Sequence, residues 1–182
     1  RTWTSEEGVL DYGARYQVSA QAVDRTGLPT QVKQVLKTVA PTTFLGMTVS
    51  PAQGATVGVG MPIKVNLDRK LSNDAAKTAF ESHAEVTVNG KPVDGGWRWL
   101  TDQVVEYRPA TYWPGHAKVT LSTNLKGVKV MSGLWGTSSS VTFSTAAAMV
   151  SYVDMNTHMM RVTRDDKTVR KIPITTGKVG FE

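Results

Sequence analysis

The feature that most constrains this chain is a side-chain alternation of period two, repeated in segment after segment and broken by turn residues. Ile63, Val65 and Leu67 alternate with Lys64, Asn66 and Asp68, and Ala117, Val119 and Leu121 alternate with Lys118, Thr120 and Ser122. Val141 and Phe143 continue the pattern, and near the start Tyr16, Val18, Ala20 and Ala22 alternate with Gln17, Ser19 and Gln21. Successive side chains of a strand point to opposite faces, so one apolar and one polar face describe half-buried strands in a sandwich. Turn formers separate these segments at Pro51 to Gly54, Asn89-Gly90, Gly95-Gly96 and Pro114-Gly115. Asn89-Gly90, between Val86-Thr87-Val88 and Pro92-Val93, has the make-up of a type I′ hairpin turn, whose two central residues need positive φ. The fold class is all-β.

One segment breaks the alternation. Ser72-Asn73-Asp74 offers capping side chains, and Ala75 to Ser82 follows with high helix propensity. Ala76, Ala79, Phe80 and His83 would share one face of this short helix, which reads as a crossover between strands, with His83 structural on its last turn.

Domain organisation follows from a faint repeat. Tyr12-Gly13-Ala14-Arg15-Tyr16-Gln17-Val18-Ser19-Ala20 resembles Trp113-Pro114-Gly115-His116-Ala117-Lys118-Val119-Thr120-Leu121. Each copy is followed by a glycine-bearing loop and a strand ending in Thr, at Val35 to Thr38 and at Val141 to Thr145. Two copies of one sandwich domain, the first lacking its N-terminal half, are the economical reading. Residues 1–41 are then the C-terminal part of a first domain and 42–146 a complete one, of a size that suits an immunoglobulin-like sandwich of about seven strands. The small residues Ala146-Ala147-Ala148 mark a short linker. Beyond it Met149 to Asp154 reads as a strand, and Met159 to Thr163, a turn at Asp165-Asp166 and Thr168 to Thr175 read as a hairpin. So short a piece cannot bury a core alone, so residues 147–182 open a further domain.

Composition excludes several functions. Of 182 residues 40% are hydrophobic and 20% charged, a globular balance. No apolar run reaches the roughly 20 residues of a membrane span, and no signal peptide opens the chain, which starts Arg1-Thr2-Trp3 and so implies a processed or truncated molecule. Cysteine is absent, which removes disulfides, thiolate metal sites and thiol nucleophiles from these residues. The net charge of +6 is spread out: residues 1–41 carry five basic and four acidic side chains, 42–146 ten and seven, 147–182 six and four. A nucleic-acid partner is therefore not expected, since such binders concentrate charge on one face or in one run. A basic soluble protein in an anionic envelope fits better.

No self-sufficient catalytic set emerges. His83, His116 and His158 lack metal-ligand spacing. Ser138-Ser139-Ser140 reads as a solvated loop, without a nucleophile elbow. Asp102 and Glu106, four apart on one expected strand, would stand about 13 Å apart, more than a glycosidase pair uses. Gly58-Val59-Gly60 and Thr176-Gly177-Lys178 lack the flanking residues of a dinucleotide or phosphate loop and read as turns. Trp97, Trp99, Tyr112 and Trp113 could stack on sugar rings, but an inward Trp is usual in a sandwich, so packing is the preferred reading. No catalytic, cofactor-binding or metal-binding residue is assigned, and no cofactor is expected.

The run Val57-Gly58-Val59-Gly60-Met61-Pro62-Ile63, with Gly96-Trp97-Arg98-Trp99-Leu100, Val105-Glu106-Tyr107-Arg108-Pro109, Tyr112-Trp113-Pro114-Gly115 and Val141 to Thr145, resembles the membrane-proximal immunoglobulin-like domain of actinobacterial L,D-transpeptidases. Val153 to His158 and Ile172 to Lys178 are similar to the first strands of their catalytic domain. The resemblance implies a parent enzyme that cross-links peptidoglycan stem peptides 3→3 through a cysteine acyl-enzyme and reacts with carbapenem-type inhibitors. It also implies an extracytoplasmic setting and an upstream membrane anchor of lipoprotein type. None of that family's catalytic residues maps onto this sequence, and His158 precedes the motif that would hold the base. These residues would serve as spacer and positioning module. The competing reading is a non-enzymatic extracellular repeat protein that binds carbohydrate or a protein partner; residues 149–182 lack the repeat signature it would require.

Overall fold

In the computed structural model, which describes residues 10–175 and Gly177, the alternating segments become strands. The opening Arg1-Thr2-Trp3, and Thr176 and Lys178 of the second glycine stretch, lie outside the described residues. In chain order the elements are β1 (Arg15–Val23), β2 (Pro29–Lys37), β3 (Met47–Ser50), β4 (Thr56–Val57), β5 (Ile63–Leu67) and α1 (Asp74–Ser82). There follow β6 (Ala84–Val88), β7 (Lys91–Pro92), β8 (Gly95–Thr101), β9 (Val104–Pro109), β10 (Lys118–Thr123) and β11 (Lys129–Met131). The last are β12 (Leu134–Trp135), β13 (Ser139–Thr145), β14 (Met149–Asp154), β15 (Met159–Arg164) and β16 (Lys167–Pro173). Eleven strands, not about seven, lie between Met47 and Thr145. The surplus comes from the two-residue edge pieces β4 and β7 and from the short β11–β12 ribbon.

The chain divides into two compact units. One gathers Met47–Leu67, Glu85–Ser122 and the chain from Ser140 onward. It carries most of two sheets, of order β3-β5-β9-β8 and β4-β13-β10-β6-β7, and the separate sheet β14-β15-β16. Alternation works here as expected. Ile63, Val65 and Leu67 of β5, Ala117, Val119 and Leu121 along β10, and Phe143 of β13 are buried. Trp113 is only 1% exposed. Its ring stacks 6.3 Å from Tyr107 of β9 and meets Phe143 edge-on at 6.3 Å, so one side chain joins the cores of both sheets. Its indole N–H, which would be costly to bury unpaired, donates to the Met61 carbonyl at 2.6 Å.

The turns are partly as read. Asn89 (φ 50°) and Gly90 (φ 78°) make the two-residue connection from β6 to β7. Gly95-Gly96, expected as a turn, instead lies inside β8. The reason is close approach: a Cβ at Gly95 would collide with the Tyr107 hydroxyl and the Arg108 carbonyl, and that hydroxyl crosses over the strand to reach the Val93 carbonyl at 2.8 Å.

The other unit comprises the chain up to Gly46, Asp68–Ala84 and Thr123–Ser139. Asn73 is the N-cap of α1, its side chain accepting from the Ala76 amide at 2.8 Å. Ala76 and Phe80 are the buried helix residues, in a core with Leu45, Leu71, Leu125, Val130 and Leu134. Tyr12 packs against Phe44 and Trp135, with ring centroids 5.5 and 5.8 Å away. Its hydroxyl accepts from the Gly127 amide at 2.7 Å and donates to the Gly136 carbonyl at 3.0 Å.

In β1 the period-two reading gave the strand but not its burial. Of Tyr16, Val18, Ala20 and Ala22 only Tyr16 is half-buried. Val32 and Leu36, opposite Ala20 and Tyr16 in the β1–β2 register, are also exposed. The hairpin has the pattern of a sandwich strand pair, but no second sheet covers it among the described residues.

A threonine tie recurs at both copies of the repeat, but two residues out of the sequence register, since the alignment sets Ala14 against Gly115 while the ties set Ala14 against Ala117. In the first copy the Thr38 hydroxyl accepts from the Ala14 amide at 2.9 Å and donates to the Asp11 carbonyl at 2.6 Å. In the second, the Thr145 hydroxyl accepts from the Ala117 amide at 2.9 Å and donates to the Pro114 carbonyl at 2.6 Å. Thr38 N bonds Ala14 O and Thr145 N bonds Ala117 O, both at 2.9 Å. One threonine per copy thus ties the end of one strand to the chain entering its neighbour.

Candidate functional site

The histidines fall in three separate places. His83 is the C-cap of α1, its Nδ1 lying 2.7 Å from the Ala79 carbonyl oxygen, which bears out a structural role. His158 sits with φ 51° in the connection between β14 and β15. In that connection the Asp154 carboxylate accepts from the Asn156 and Thr157 amides at 2.9 and 3.3 Å. Hydrogen bonding, led by the Thr157 side chain, holds the Asp154 carboxyl below its ordinary pKa. His116 is different: its Nε2 is 3.2 Å from an Asp165 carboxylate oxygen. Sequence reading placed the Asp165-Asp166 turn but not this pairing, because 49 residues separate the partners.

Two further readings are corrected. Asp102 is not on a strand with Glu106; it lies in the turn between β8 and β9, while Glu106 is in β9, 3.9 Å from Arg108. Ser139 and Ser140 are not loop residues but open β13. Pairing explains this: the Ser139 amide and carbonyl both engage the Thr123 hydroxyl at 3.2 Å, so a polar stretch completes a strand end. Gly58-Val59-Gly60 is a turn as expected, closed by the Met61 amide on the Gly58 carbonyl at 3.1 Å.

The four aromatics divide by environment. Trp97 and Trp99 of β8 face the same way, opposite Tyr107 and Val105, and are half-buried. Trp97 meets the Tyr107 ring edge-on at 5.1 Å. Burial first, and then the negative charge of Asp94, push the Tyr107 phenol above its ordinary pKa. Trp113 is core, and Tyr112 is 63% exposed. Tyr112 borders an open, mainly apolar cleft of about 410 Å³ whose other walls include Val59, Gly60, Pro62, Arg108 and Pro109. Packing therefore claims three of the four rings. The cleft offers an aromatic face and a guanidinium, groups that bind, and it contains no nucleophile–base pair. Among the described residues no group of three or more His, Cys, Asp or Glu is placed to hold a metal ion, and no helix is long and apolar enough to cross a membrane.

Two mainly antiparallel sheets, with only the edge strand β4 running parallel to its neighbour β13, closed over a tryptophan-centred core define an immunoglobulin-like class of protein, and the chain belongs to the bacterial Ig domain family, whose model matches residues 1–129. Within that class it is a homologue of the L,D-transpeptidases. It is 29% identical to L,D-transpeptidase 2 of Mycobacterium tuberculosis (strain CDC 1551 / Oshkosh) over 177 residues, 97% of this chain and 42% of that protein. It is also 29% identical to L,D-transpeptidase 5 of Mycobacterium tuberculosis (strain ATCC 25618 / H37Rv), over 93% of this chain and 38% of the relative. The chain thus spans less than half the length of these relatives. Among solved structures, an L,D-transpeptidase from Mycobacterium smegmatis aligns with TM-score 0.58 and 27% identity, covering 75% of this chain and 56% of that one. The L,D-transpeptidase LdtMt1 in complex with imipenem aligns with TM-score 0.57 and 26% identity, covering 76% and 56%.

Proposed function

We propose that these residues are the spacer and positioning module of a peptidoglycan L,D-transpeptidase, with the chemistry carried by a catalytic domain of which they contain only the first strands. The observation that carries this reading is the reach of the similarity to L,D-transpeptidase 2, which extends over 97% of the chain and so takes in the β14–β16 sheet beyond the sandwich. Residues 1–41 are the C-terminal part of a first immunoglobulin-like domain, 42–146 a complete one, and 147–182 the start of the catalytic domain.

The parent enzyme forms 3→3 cross-links: a cysteine thiolate attacks a stem peptide, and an amine of a second stem resolves the thioester. The 182 residues contain no cysteine. Their contribution is therefore mechanical, holding the catalytic domain at a reachable layer of wall. Stem peptides and carbapenem-type inhibitors are partners of the parent through its catalytic domain. The setting is extracytoplasmic, with a membrane anchor upstream.

Reading the coding sequence past Glu182 tests the proposal. A cysteine in a Ser-His-Gly context within about one further domain length is expected. A further sandwich carrying the Tyr-x-Val-x-Ala signature would overturn it in favour of a non-enzymatic repeat protein.

A further inference from the structure

The junction after the sandwich is fastened by one carboxylate. The β15–β16 turn runs through Asp165 and Asp166 with φ 47° and 63°, and the sandwich presents a second left-handed residue, His116, with φ 56°. Between them passes the linker 146–148. One Asp165 carboxylate oxygen accepts from the Ala148 amide at 2.9 Å, while the Asp165 amide donates to the Ala148 carbonyl at 3.0 Å. Both backbone groups of Ala148 are thus engaged by a single residue. The other carboxylate oxygen lies 3.2 Å from His116 Nε2, and the His116 amide donates to the Ala146 carbonyl at 3.1 Å. Gly115 closes the arrangement, because a Cβ there would stand 2.9 Å from the Asp165 carboxylate and 3.0 Å from the Ala148 amide.

We propose that Asp165 is a latch: by engaging Ala148 on both sides it locks the linker, so that the β14–β16 sheet keeps one orientation on the sandwich. The inference rests on this geometry and not on which enzyme the chain serves. The backbone bonds, rather than the ion pair, hold the latch. The His116 and Asp165 side chains are 64% and 44% exposed, and exposed ion pairs contribute little. Inclusion of both the sandwich strands and the terminal sheet in one compact unit agrees with a fixed junction. The latch makes orientation a property of the chain itself.

Because the sequence has no cysteine, spin labels can be placed without background. Cysteines at the exposed Lys91 and Lys171, one on the sandwich and one in β16 of the terminal sheet, allow the distance distribution to be read by pulsed electron resonance on the full chain. The parent should give a single narrow distribution. Asp165→Ala should broaden it at least twofold, whereas Asp165→Asn, which keeps the acceptor, and His116→Gln should leave it narrow. Should Asp165→Ala fail to fold, Gly115→Ala serves instead, since its methyl wedges the latch apart and should broaden the distribution likewise. Asp154→Ala removes a comparable turn carboxylate at the far end of the same sheet and controls for general loosening. An unchanged width in the variant that folds, equal broadening by Asp154→Ala, or equal broadening by His116→Gln would overturn the latch.

Discussion

Replacing Thr145 by Val tests how the sandwich closes. Thr145 is 4% exposed, and its hydroxyl serves the Ala117 amide at 2.9 Å and the Pro114 carbonyl at 2.6 Å. Valine preserves the branched shape but removes both bonds, leaving a buried donor and an acceptor without their partner. Desolvation of an unsatisfied group costs about 1–3 kcal/mol, against about 1 kcal/mol for an ordinary lost hydrogen bond. A loss of about 2 kcal/mol is therefore expected, which lowers Tm by roughly 4–8 °C in a chain of this size. Thr38→Val breaks the equivalent tie in the first copy, where the groups are only part-buried and water can replace the hydroxyl. Its cost should be under about 1 kcal/mol. The assay is urea unfolding followed by tryptophan fluorescence, with hydrogen exchange at the Ala117 amide as a local probe. Loss of Ala117 protection together with the larger cost at Thr145 is the expected result. Equal costs at the two threonines, or unchanged Ala117 exchange, would refute the reasoning that burial sets the value of this tie.

Two other outcomes follow from the geometry. Trp113→Ala should cost about 3–5 kcal/mol, while the neighbouring Tyr112→Ala should stay within about 0.5 kcal/mol, read by the same unfolding assay. Asp165 is held below its ordinary pKa first by the Ala148 amide and then by His116, with Arg164 adding a further positive charge nearby. A lowered carboxyl stabilises the folded junction above the ordinary value of about 3.9, and that contribution is lost as pH falls through the folded value. The Ala148 amide resonance should therefore shift on acidification, with a midpoint below the ordinary carboxylate value. A midpoint at or above that value, or no shift, would contradict the assignment.

Much of the fold was legible because sandwich strands write their burial into alternate residues. β5 and β10 are the clear cases, since each has a covered face. β1 carries the same writing with its face uncovered, so periodicity reports what a strand is built to pack against and not whether anything lies there. Gly95-Gly96 misled because glycine marks both turns and close approaches, and only the Tyr107 hydroxyl, twelve residues on, distinguishes them. The serines of 138–140 misled because a polar stretch was equated with a loop, whereas Ser139 and Ser140 form the exposed end of a strand that becomes buried at Phe143 and Thr145. Packing was legible for the aromatic group as a whole, but not that Trp113 is its buried centre while the adjacent Tyr112 stays exposed. The latch was not legible either: Asp165 and His116 are each unremarkable in sequence, and only tertiary structure brings them together with Ala148.

The central claim is that these residues position a chemistry they do not contain. Intact-mass measurement after exposure to imipenem addresses it most directly, applied in parallel to residues 1–182 and to the protein encoded by the complete reading frame. The account predicts one covalent adduct on the longer protein and none on residues 1–182. An adduct on the 182 residues, or none on the longer protein, would contradict it.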